Sequence, residues 1–271
     1  MKVAAIQMVS STALDDNLRV ARELLEQAAL GGAELAVLPE YFCLMGHKDT
    51  DKLALRETAG AGVIQQFLAD TARALQIWIV GGTLPMATDA PDRVRNTTLV
   101  FDPTGACVAR YDKIHLFRFS NGAEQYDEGR VIDAGDTPVQ FDLQARSGQR
   151  WRVGLSVCYD LRFPELYRAH ARAGADLLLV PSAFTHTTGQ AHWEVLLRAR
   201  AVENLAYVLA PAQGGVHANG RHTWGHSMLV DPWGSILAQR DQGAGVVAGE
   251  LDAQRLSAVR AQLPALTHRV L

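Results

Sequence analysis

The sequence has few cysteines and no long apolar run. Its 3 cysteines among 271 residues are an odd number without framework spacing, which argues against a disulfide scaffold. No apolar stretch approaches the ~20 residues that a membrane-spanning helix needs. The first residues, MKVAAIQM, have the pattern of a strand and not that of a signal peptide. We therefore expect a reduced, cytoplasmic protein without a membrane partner.

An excess of charge of one sign is also absent. The 26 Lys and Arg residues nearly balance the 29 Asp and Glu residues, for a net charge of −3, and they are scattered along the chain. This distribution gives no basic surface of the kind that nucleic acids bind, so no nucleic-acid partner is expected. Because no linker-like segment is present either, we expect residues 1–271 to form a single domain.

The chain contains an internal repeat. Residues 32–42, GAELAVLPEYF, resemble residues 174–184, GADLLLVPSAF, and each copy follows a segment with the apolar spacing of an amphipathic helix. Further on, TLVFDPTGACV at 98–108 matches SMLVDPWGSIL at 227–237. Asp-Pro-x-Gly between two strand-like runs predicts a hairpin in each half. The predicted order in each half is strand, helix, strand, helix, strand, hairpin.

Two such units predict an α/β fold with four layers. Their strand runs are apolar throughout, and such strands are buried when sheet packs against sheet with helices outside. We therefore expect an α-β-β-α sandwich with an internal pseudo-twofold repeat. A single doubly wound sheet is the alternative, but the two hairpins require antiparallel pairing that a purely parallel sheet lacks. The glycine-rich segment at 214–220, GGVHANG, is interpreted as a loop.

Cys158 is the candidate nucleophile. It lies where a strand-like run ends and a helix begins, in RVGLSVCYDLRFPELYR at 152–168. A tight turn at that point would lift a thiol toward solvent. Free cysteines are more often buried apolar side chains, and that interpretation is kept for Cys43 and Cys107.

Two further residues could activate or stabilise a thiol at this position. Glu40 follows an apolar strand in LPEYF, where a partly desolvated carboxylate can act as a general base; a solvated or capping glutamate is the alternative. Because the parallel strands of βαβ units end at one edge, Glu40 and Cys158 can meet if the halves pack face to face. Lys113, in RYDKIHLF, points either inward or to water. Facing inward, it would stabilise a thiolate and a tetrahedral oxyanion.

Together these residues resemble the nitrilase superfamily of carbon–nitrogen hydrolases. LPEYF, YDKIHLF and GLSVCYDLRFPELYR are similar to the glutamate, lysine and cysteine motifs of that family, in the same order. Residues 181–204 resemble its branch of deaminated glutathione amidases and omega-amidases. The resemblance makes Glu40 the general base, Lys113 the oxyanion stabiliser and Cys158 the nucleophile. It also assigns the backbone amide of Tyr159 to the oxyanion hole.

The family has a second catalytic glutamate between its lysine and its cysteine. In QYDEGRVIDAGD the resemblance points to Glu128, with Glu124 as the weaker alternative. The usual Glu-Ser pair of the family is Glu128-Gly129 here.

The implied reaction is hydrolysis of a small linear amide through a thioester. Cys158 attacks the carbonyl, and Glu40 passes the thiol proton to the leaving amine. Ammonia departs as the thioester forms, and water activated by Glu40 then cleaves the acyl-enzyme to give the carboxylate and the free thiol. No cofactor and no metal are required. Deaminated glutathione amidase is the expected activity; an omega-amidase acting on α-ketoglutaramate or α-ketosuccinamate, a carbamoylase and a nitrilase are the alternatives.

A cation is expected to meet the carboxylate of such a substrate. Arg162, four residues after the nucleophile, and Arg118, in the loop before Glu128, are the candidates. The alternatives are a structural salt bridge for Arg162 and a solvated charge for Arg118. Phe184 and Thr185 are expected to line the pocket wall.

Rival functions come from other classes of protein. Five histidines lie close in sequence in the second half, but no HExxH pattern or paired cysteine spacing accompanies them, so a metal-binding module is the weaker hypothesis. A non-catalytic scaffold and an acyl transferase are further alternatives. The resemblance also implies a homodimer, with the segment LPALTHRVL at 263–271 across its interface.

Overall fold

The computed structural model describes residues 1–122 and 125–270. The α-helices, numbered in chain order, are α1 (Leu14–Leu30), α2 (Val63–Leu75), α3 (Pro164–Arg172), α4 (His186–Asn204) and α5 (Ala253–Gln262). The strands of the first half are β1 (Lys2–Gln7), β2 (Leu35–Val37), β3 (Trp78–Val80), β4 (Leu84–Ala87), β5 (Val94–Phe101), β6 (Cys107–Asp112), β7 (Arg118–Ser120) and β8 (Gln125–Asp127). Those that follow are β9 (Gln140–Gln144), β10 (Arg150–Leu155), β11 (Leu177–Leu179), β12 (Tyr207–Ala210), β13 (Gly214–Val216), β14 (His222–Trp224), β15 (Ser227–Val230), β16 (Ile236–Arg240) and β17 (Gly245–Glu250).

Two mixed sheets form the inner layers. The first has the order β17-β1-β2-β3-β5-β4, with β6 also paired to β5, and the second has the order β16-β15-β12-β11-β10-β9. In each sheet three strands are parallel and connected by helices, and a hairpin continues the sheet with antiparallel strands. The unit β1-α1-β2-α2-β3 is thus repeated as β10-α3-β11-α4-β12. This confirms the predicted order of strands, helices and hairpins.

The strands β1 and β2 show how the layers pack. Val3 and Val37 belong to one core cluster with residues of β10 and β11. Ala4 and Ala36, which point the other way, pack instead with buried residues of α1 and α2. Because side chains alternate between the two faces of a strand, one face of the sheet meets the other sheet and the opposite face meets helices. The layers are therefore α-β-β-α, as the sequence predicted.

Two predictions about local structure are wrong. The first residues of the segment 214–220 form β13, which pairs with β14 in a two-stranded ribbon, so this segment is only partly a loop. Cys107 is exposed, whereas Cys43 is buried. Cys107 begins β6, which is an edge strand. The first two residues of β6 are both exposed, so the alternation of side chains along this strand does not bury the thiol.

Among the described residues, no helix has the length and apolar character needed to cross a membrane.

Candidate active site

Cys158 occupies a strained turn directly after β10. It opens a 3₁₀ turn, Cys158–Arg162, with a φ of 48°, in the left-handed region that non-glycine residues rarely adopt. Its N–H donates to the carbonyl oxygen of Pro181 at 2.9 Å, which fixes the turn against the segment after β11. Such strain is maintained only where surrounding contacts enforce it, and it concentrates at functional sites. Tyr159 is the second residue of this turn, so its N–H has no partner within the turn.

Asp160 holds the turn in place and was not singled out from the sequence. Its fully buried carboxylate accepts hydrogen bonds from the Val157 N–H at 2.8 Å and from the Tyr111 hydroxyl at 2.6 Å. The N–H of His115 also donates to it, at 3.0 Å. Tyr111 and His115 flank Lys113 in the chain, so Asp160 ties the cysteine turn to the lysine segment. The sequence did contain a signal for this role, because Asp160 lies inside the cysteine motif at residues 152–168.

Lys113 follows β6 and points inward. Its side chain is fully buried, and its Nζ donates to Glu40 Oε1 at 2.8 Å and to Glu128 Oε2 at 2.8 Å. Burial alone would lower the pKa of Lys113, but the negative charges of Glu128 and Glu40 outweigh it and hold this pKa well above its usual value. The lysine is therefore a permanent ammonium between two carboxylates.

Glu40 connects the two halves of the molecule. It is 1% exposed, and its Oε1 also accepts a hydrogen bond from Asn96 Nδ2 at 2.9 Å. Its Oε2 accepts one from the N–H of Ala183, which lies in the second half, at 3.0 Å. The solvated or capping alternative for Glu40 is thus wrong. Asn96, on β5, was missed because nothing in the sequence distinguishes an inward-facing amide on that strand.

Glu128 lies at the same lysine and has its own anchors. The Tyr41 hydroxyl donates to its Oε1 at 2.6 Å, and the N–H of Phe117 donates to its Oε2 at 2.7 Å. Burial would raise the pKa of Glu128, but the charge and hydrogen bond of Lys113 outweigh burial and leave this pKa below its usual value. The alternative residue, Glu124, lies outside the described residues.

The electrostatics of Cys158 differ from the expectation that Lys113 would hold a thiolate. Burial, and then the negative charge of Glu40, raise the pKa of Cys158 well above its usual value, although the positive charge of Lys113 acts in the opposite direction. Lys113 is already shared between two carboxylates, so its charge is largely neutralised. The resting nucleophile is a neutral thiol near the Glu40 carboxylate, which suits proton transfer to a base during attack.

The thiol opens into a small cavity. Its lining consists of aromatic, small and hydroxyl side chains with one cation: Phe117, Cys158, Tyr159, Arg162, Ala183, Phe184, Thr185 and Thr188. The predicted wall residues Phe184 and Thr185 are therefore placed beside the nucleophile.

Arg162 borders this cavity and Arg118 does not. The guanidinium carbon of Arg162 lies 5.7 Å from the centre of the Tyr159 ring and 5.5 Å from that of Phe184, and its nitrogens lie 3.2 Å from His192 Nδ1. Within the described part of the chain it has no carboxylate partner inside 4.0 Å, so the salt-bridge alternative is wrong. Arg118 belongs to β7 rather than to a loop, and its side chain is 83% exposed, 3.8 Å from Asp127.

The histidines of the second half have other partners. His217 is buried, with its ring nitrogens 2.8 Å from the Ser10 carbonyl oxygen and from Thr223 Oγ1. His186 stacks on His222 with ring centres 4.2 Å apart. Over residues 1–122 and 125–270, no group of three or more His, Cys, Asp or Glu side chains is placed to hold a metal ion.

Comparison with protein families gives a direct match. The family described as Carbon-nitrogen hydrolase matches residues 2–261. The chain belongs to this family. It is accordingly a hydrolase acting on carbon–nitrogen bonds other than peptide bonds, in the nitrilase superfamily. A curated relative, the deaminated glutathione amidase of Synechocystis sp. (strain PCC 6803 / GT-S), is 44% identical over 270 residues, which cover 98% of this chain and 97% of the relative.

Solved structures of the same superfamily are similar in fold. Nit3 of Saccharomyces cerevisiae, a member of branch 10 of the nitrilase superfamily, superimposes with a TM-score of 0.87 at 30% identity, over 100% of this chain and 97% of that one. The amidase from Nesterenkonia sp. AN1 has a TM-score of 0.77 at 28% identity, over 97% of this chain and 98% of that one. That structure is a Glu-to-Gln variant in which acrylamide has added to the active-site cysteine.

Proposed function

We propose that this carbon–nitrogen hydrolase is a deaminated glutathione amidase with Cys158 as nucleophile, Glu40 as general base and Lys113 as oxyanion stabiliser. The observation that carries the proposal is the ion pair between Lys113 and Glu40 at 2.8 Å, beside a buried thiol in a strained turn. The substrate is supported by the name of the Synechocystis relative and by the cation at the cavity wall.

The proposed reaction starts from the neutral thiol. As Cys158 attacks the amide carbonyl, Glu40 takes its proton, and the developing oxyanion is stabilised by the ammonium of Lys113 and the N–H of Tyr159. Glu40 then protonates the leaving amine as the thioester forms. Water activated by Glu40 hydrolyses the thioester and regenerates the thiol. Glu128 acts through Lys113, because it holds the ammonium in place.

The leaving group depends on the amide. Cleavage of the γ-amide of deaminated glutathione releases cysteinylglycine, whereas α-ketoglutaramate releases ammonia. The acyl part is the same in both, a keto acid whose carboxylate requires a cation, and Arg162 at the cavity wall supplies one. Both compounds therefore share the Cys158 side of the site.

The test is hydrolysis of deaminated glutathione by wild type and three variants. We expect Cys158→Ala, Glu40→Gln and Lys113→Ala to lose at least about 10³-fold in kcat, because each removes a group used in the transition state. Cys107→Ala is the matched control, since that cysteine is exposed and lies at the opposite end of β6 from Lys113, and its activity should be unchanged. Circular dichroism checks that each variant is folded. Full activity of a folded Cys158→Ala protein would refute the mechanism.

The substrate assignment is tested separately. The ratio of kcat/KM for deaminated glutathione to that for α-ketoglutaramate should favour the former. A ratio well below one would assign the chain to the omega-amidases. If neither compound is hydrolysed, both assignments are refuted.

We also propose a homodimer in the cytoplasm. Support for the dimer comes from exposed apolar side chains on α4 and on the β15–β16 hairpin, which are Val195, Val202, Trp233 and Leu237. We call these four residues the α4 patch.

A further inference from the structure

A row of aromatic rings runs past the nucleophile and ends in a cation on each side. Tyr159, next to Cys158 in the chain, meets Phe117 edge to face with ring centres 5.2 Å apart, and Phe117 lies 5.8 Å from Tyr126. At one end, the guanidinium of Arg162 lies over Tyr159 at 5.7 Å. At the other end, the guanidinium of Arg221 lies over Tyr126 at 5.1 Å. The row therefore has a guanidinium group at each of its ends.

Two cavities share a wall residue at the middle of this row. Phe117 lines the cavity of Cys158 and also a second one, which is lined by Tyr41, Asp49, Lys52, Phe117, Tyr126, Asp127, Glu128 and Arg221. A substrate with groups on both sides of its scissile amide can direct one of them toward each cavity.

In the second cavity, one positively charged side chain has no carboxylate partner among the residues that the structure describes. Glu128 is bound by the catalytic lysine, and Asp127 lies 3.8 Å from each of two exposed arginines. Lys52, with its side chain 13% exposed, has Asp49 at 3.6 Å. Within residues 1–122 and 125–270, Arg221 has no carboxylate inside 4.0 Å. An anion entering this cavity would therefore find an unmatched guanidinium with an ammonium in the same wall.

The backbone that carries Arg221 is firmly held. Its N–H donates to Asn219 Oδ1 at 2.9 Å and its carbonyl accepts from the His217 N–H at 2.8 Å, which closes the turn between β13 and β14. Asn219 also donates to the carbonyl oxygen of Gly46 at 2.6 Å, in the segment that follows Glu40. The side chain takes no part in these bonds. A guanidinium on such a fixed turn is preorganised for a ligand.

We propose that Arg221, with Lys52 in the same cavity, forms an anion subsite for a carboxylate on the leaving-group side of the scissile amide. This inference rests on the proposed function and narrows its substrate class. Arg162 takes the carboxylate of the acyl part, and Arg221 takes that of the amine part. The preferred substrates are linear amides with a carboxylate at each end. Deaminated glutathione has this form through its glycine carboxylate, and α-ketoglutaramate does not.

The experiment compares deaminated glutathione with its analogue in which the glycine carboxylate is a carboxamide. For wild type, we expect kcat/KM to be about 10- to 100-fold higher for the carboxylate compound, the range for a hydrogen bond to a charged group. Arg221→Gln should reduce this preference to within about 3-fold, mainly through KM, and Arg221→Lys should restore part of it. Arg130→Gln is the matched control, because the Arg130 side chain is 65% exposed and lies 3.8 Å from Asp127.

The outcomes separate the inference from the proposed function. If wild type hydrolyses both compounds equally, or if Arg221→Gln slows both by the same factor, the subsite is refuted while the amidase activity stands. If wild type hydrolyses neither compound, the proposed function fails and the subsite falls with it. A preference abolished by Arg221→Gln and retained by Arg130→Gln supports the subsite.

Discussion

Each ionisable residue of the site has a charge state that its neighbours determine. Lys113 is an ammonium because two carboxylates bind it, and Glu128 is ionised because that ammonium is 2.8 Å away. Cys158 faces Glu40 with its pKa raised, first by burial and then by the charge of that glutamate. In the proposed mechanism, the residue that removes the thiol proton during attack therefore keeps that proton in place at rest. That mechanism requires attack and proton transfer to occur together.

This arrangement predicts the pH dependence of thiol alkylation. In a Cys107→Ala background, the rate at which iodoacetamide modifies Cys158 should still be rising with pH above 9, because a raised pKa leaves the thiolate scarce there. Glu40→Gln removes the negative charge that raises the pKa, so at pH 8 this variant should react roughly 3- to 10-fold faster than its parent, although its turnover is lost. Mass spectrometry of quenched samples measures both rates. Slower alkylation of Glu40→Gln would show that Glu40 ionises the thiol without a substrate.

The regular elements near the site were predictable from the sequence, and the edges of the sheets were not. The helices α1 and α3 and both hairpins follow local patterns of apolar spacing and turn chemistry. The strands β9 and β17, which pair with β10 and β1, depend on partners distant in the chain. Cys107 was misassigned for the same reason, since only the sheet order shows that β6 is an edge strand.

The turn after β10 depends on Asp160, and this gives a prediction about one element. Asp160→Asn keeps the size of the side chain but removes the charge that accepts bonds from Val157, Tyr111 and His115. We expect a loss of about 1–3 kcal/mol in the free energy of unfolding and a fall of roughly 10²-fold in kcat, because the thiol is no longer held in its strained position. Urea unfolding and steady-state kinetics measure the two effects.

The control for this variant is Asp142→Asn. Asp142 lies on β9, is 42% exposed and pairs with two surface arginines. Exposed pairs of this kind contribute about 0–1 kcal/mol, so both stability and kcat should be nearly unchanged. If Asp160→Asn behaves like this control, Asp160 does not position the nucleophile.

At the scale of the whole molecule, the site exists only where the two halves meet. The first half supplies Glu40, Lys113 and Glu128, and the second half supplies Cys158 and the N–H of Ala183. The convergence of Glu40 and Cys158 could be predicted, because both follow parallel strands at the same edge of their sheets. The inward direction of the Lys113 side chain could not be predicted, because it depends on how the end of β6 is placed in the fold. This dependence on both halves supports the proposal that residues 1–271 form a single domain.

The α4 patch predicts how two such molecules associate. Val195 and Val202 are 61% and 44% exposed, and α4 lies against the β15–β16 turn, where Arg198 Nε donates to the Gly234 carbonyl oxygen at 2.9 Å. Trp233 precedes Gly234 in this turn and Leu237 follows on β16, so we propose that the exposed apolar side chains of the two elements form one interface. Sedimentation should give twice the 29.5 kDa of one chain. Val195→Lys combined with Leu237→Lys should weaken dimerisation at least about tenfold, because two charges would be desolvated at the contact.

Leu30→Lys is the control for the dimer experiment. Leu30 is 90% exposed at the end of α1, in the opposite helix layer, so a lysine there should leave the sedimentation profile unchanged. A wild-type protein that sediments as one chain at every concentration would refute the homodimer. A dimer that is insensitive to the α4 substitutions would place the interface elsewhere. A dimer lost only in the α4 variant would show that the helix layer covering the cysteine half also joins the two subunits. Dimerisation would then support α4, the helix that contributes Thr188 to the cavity wall.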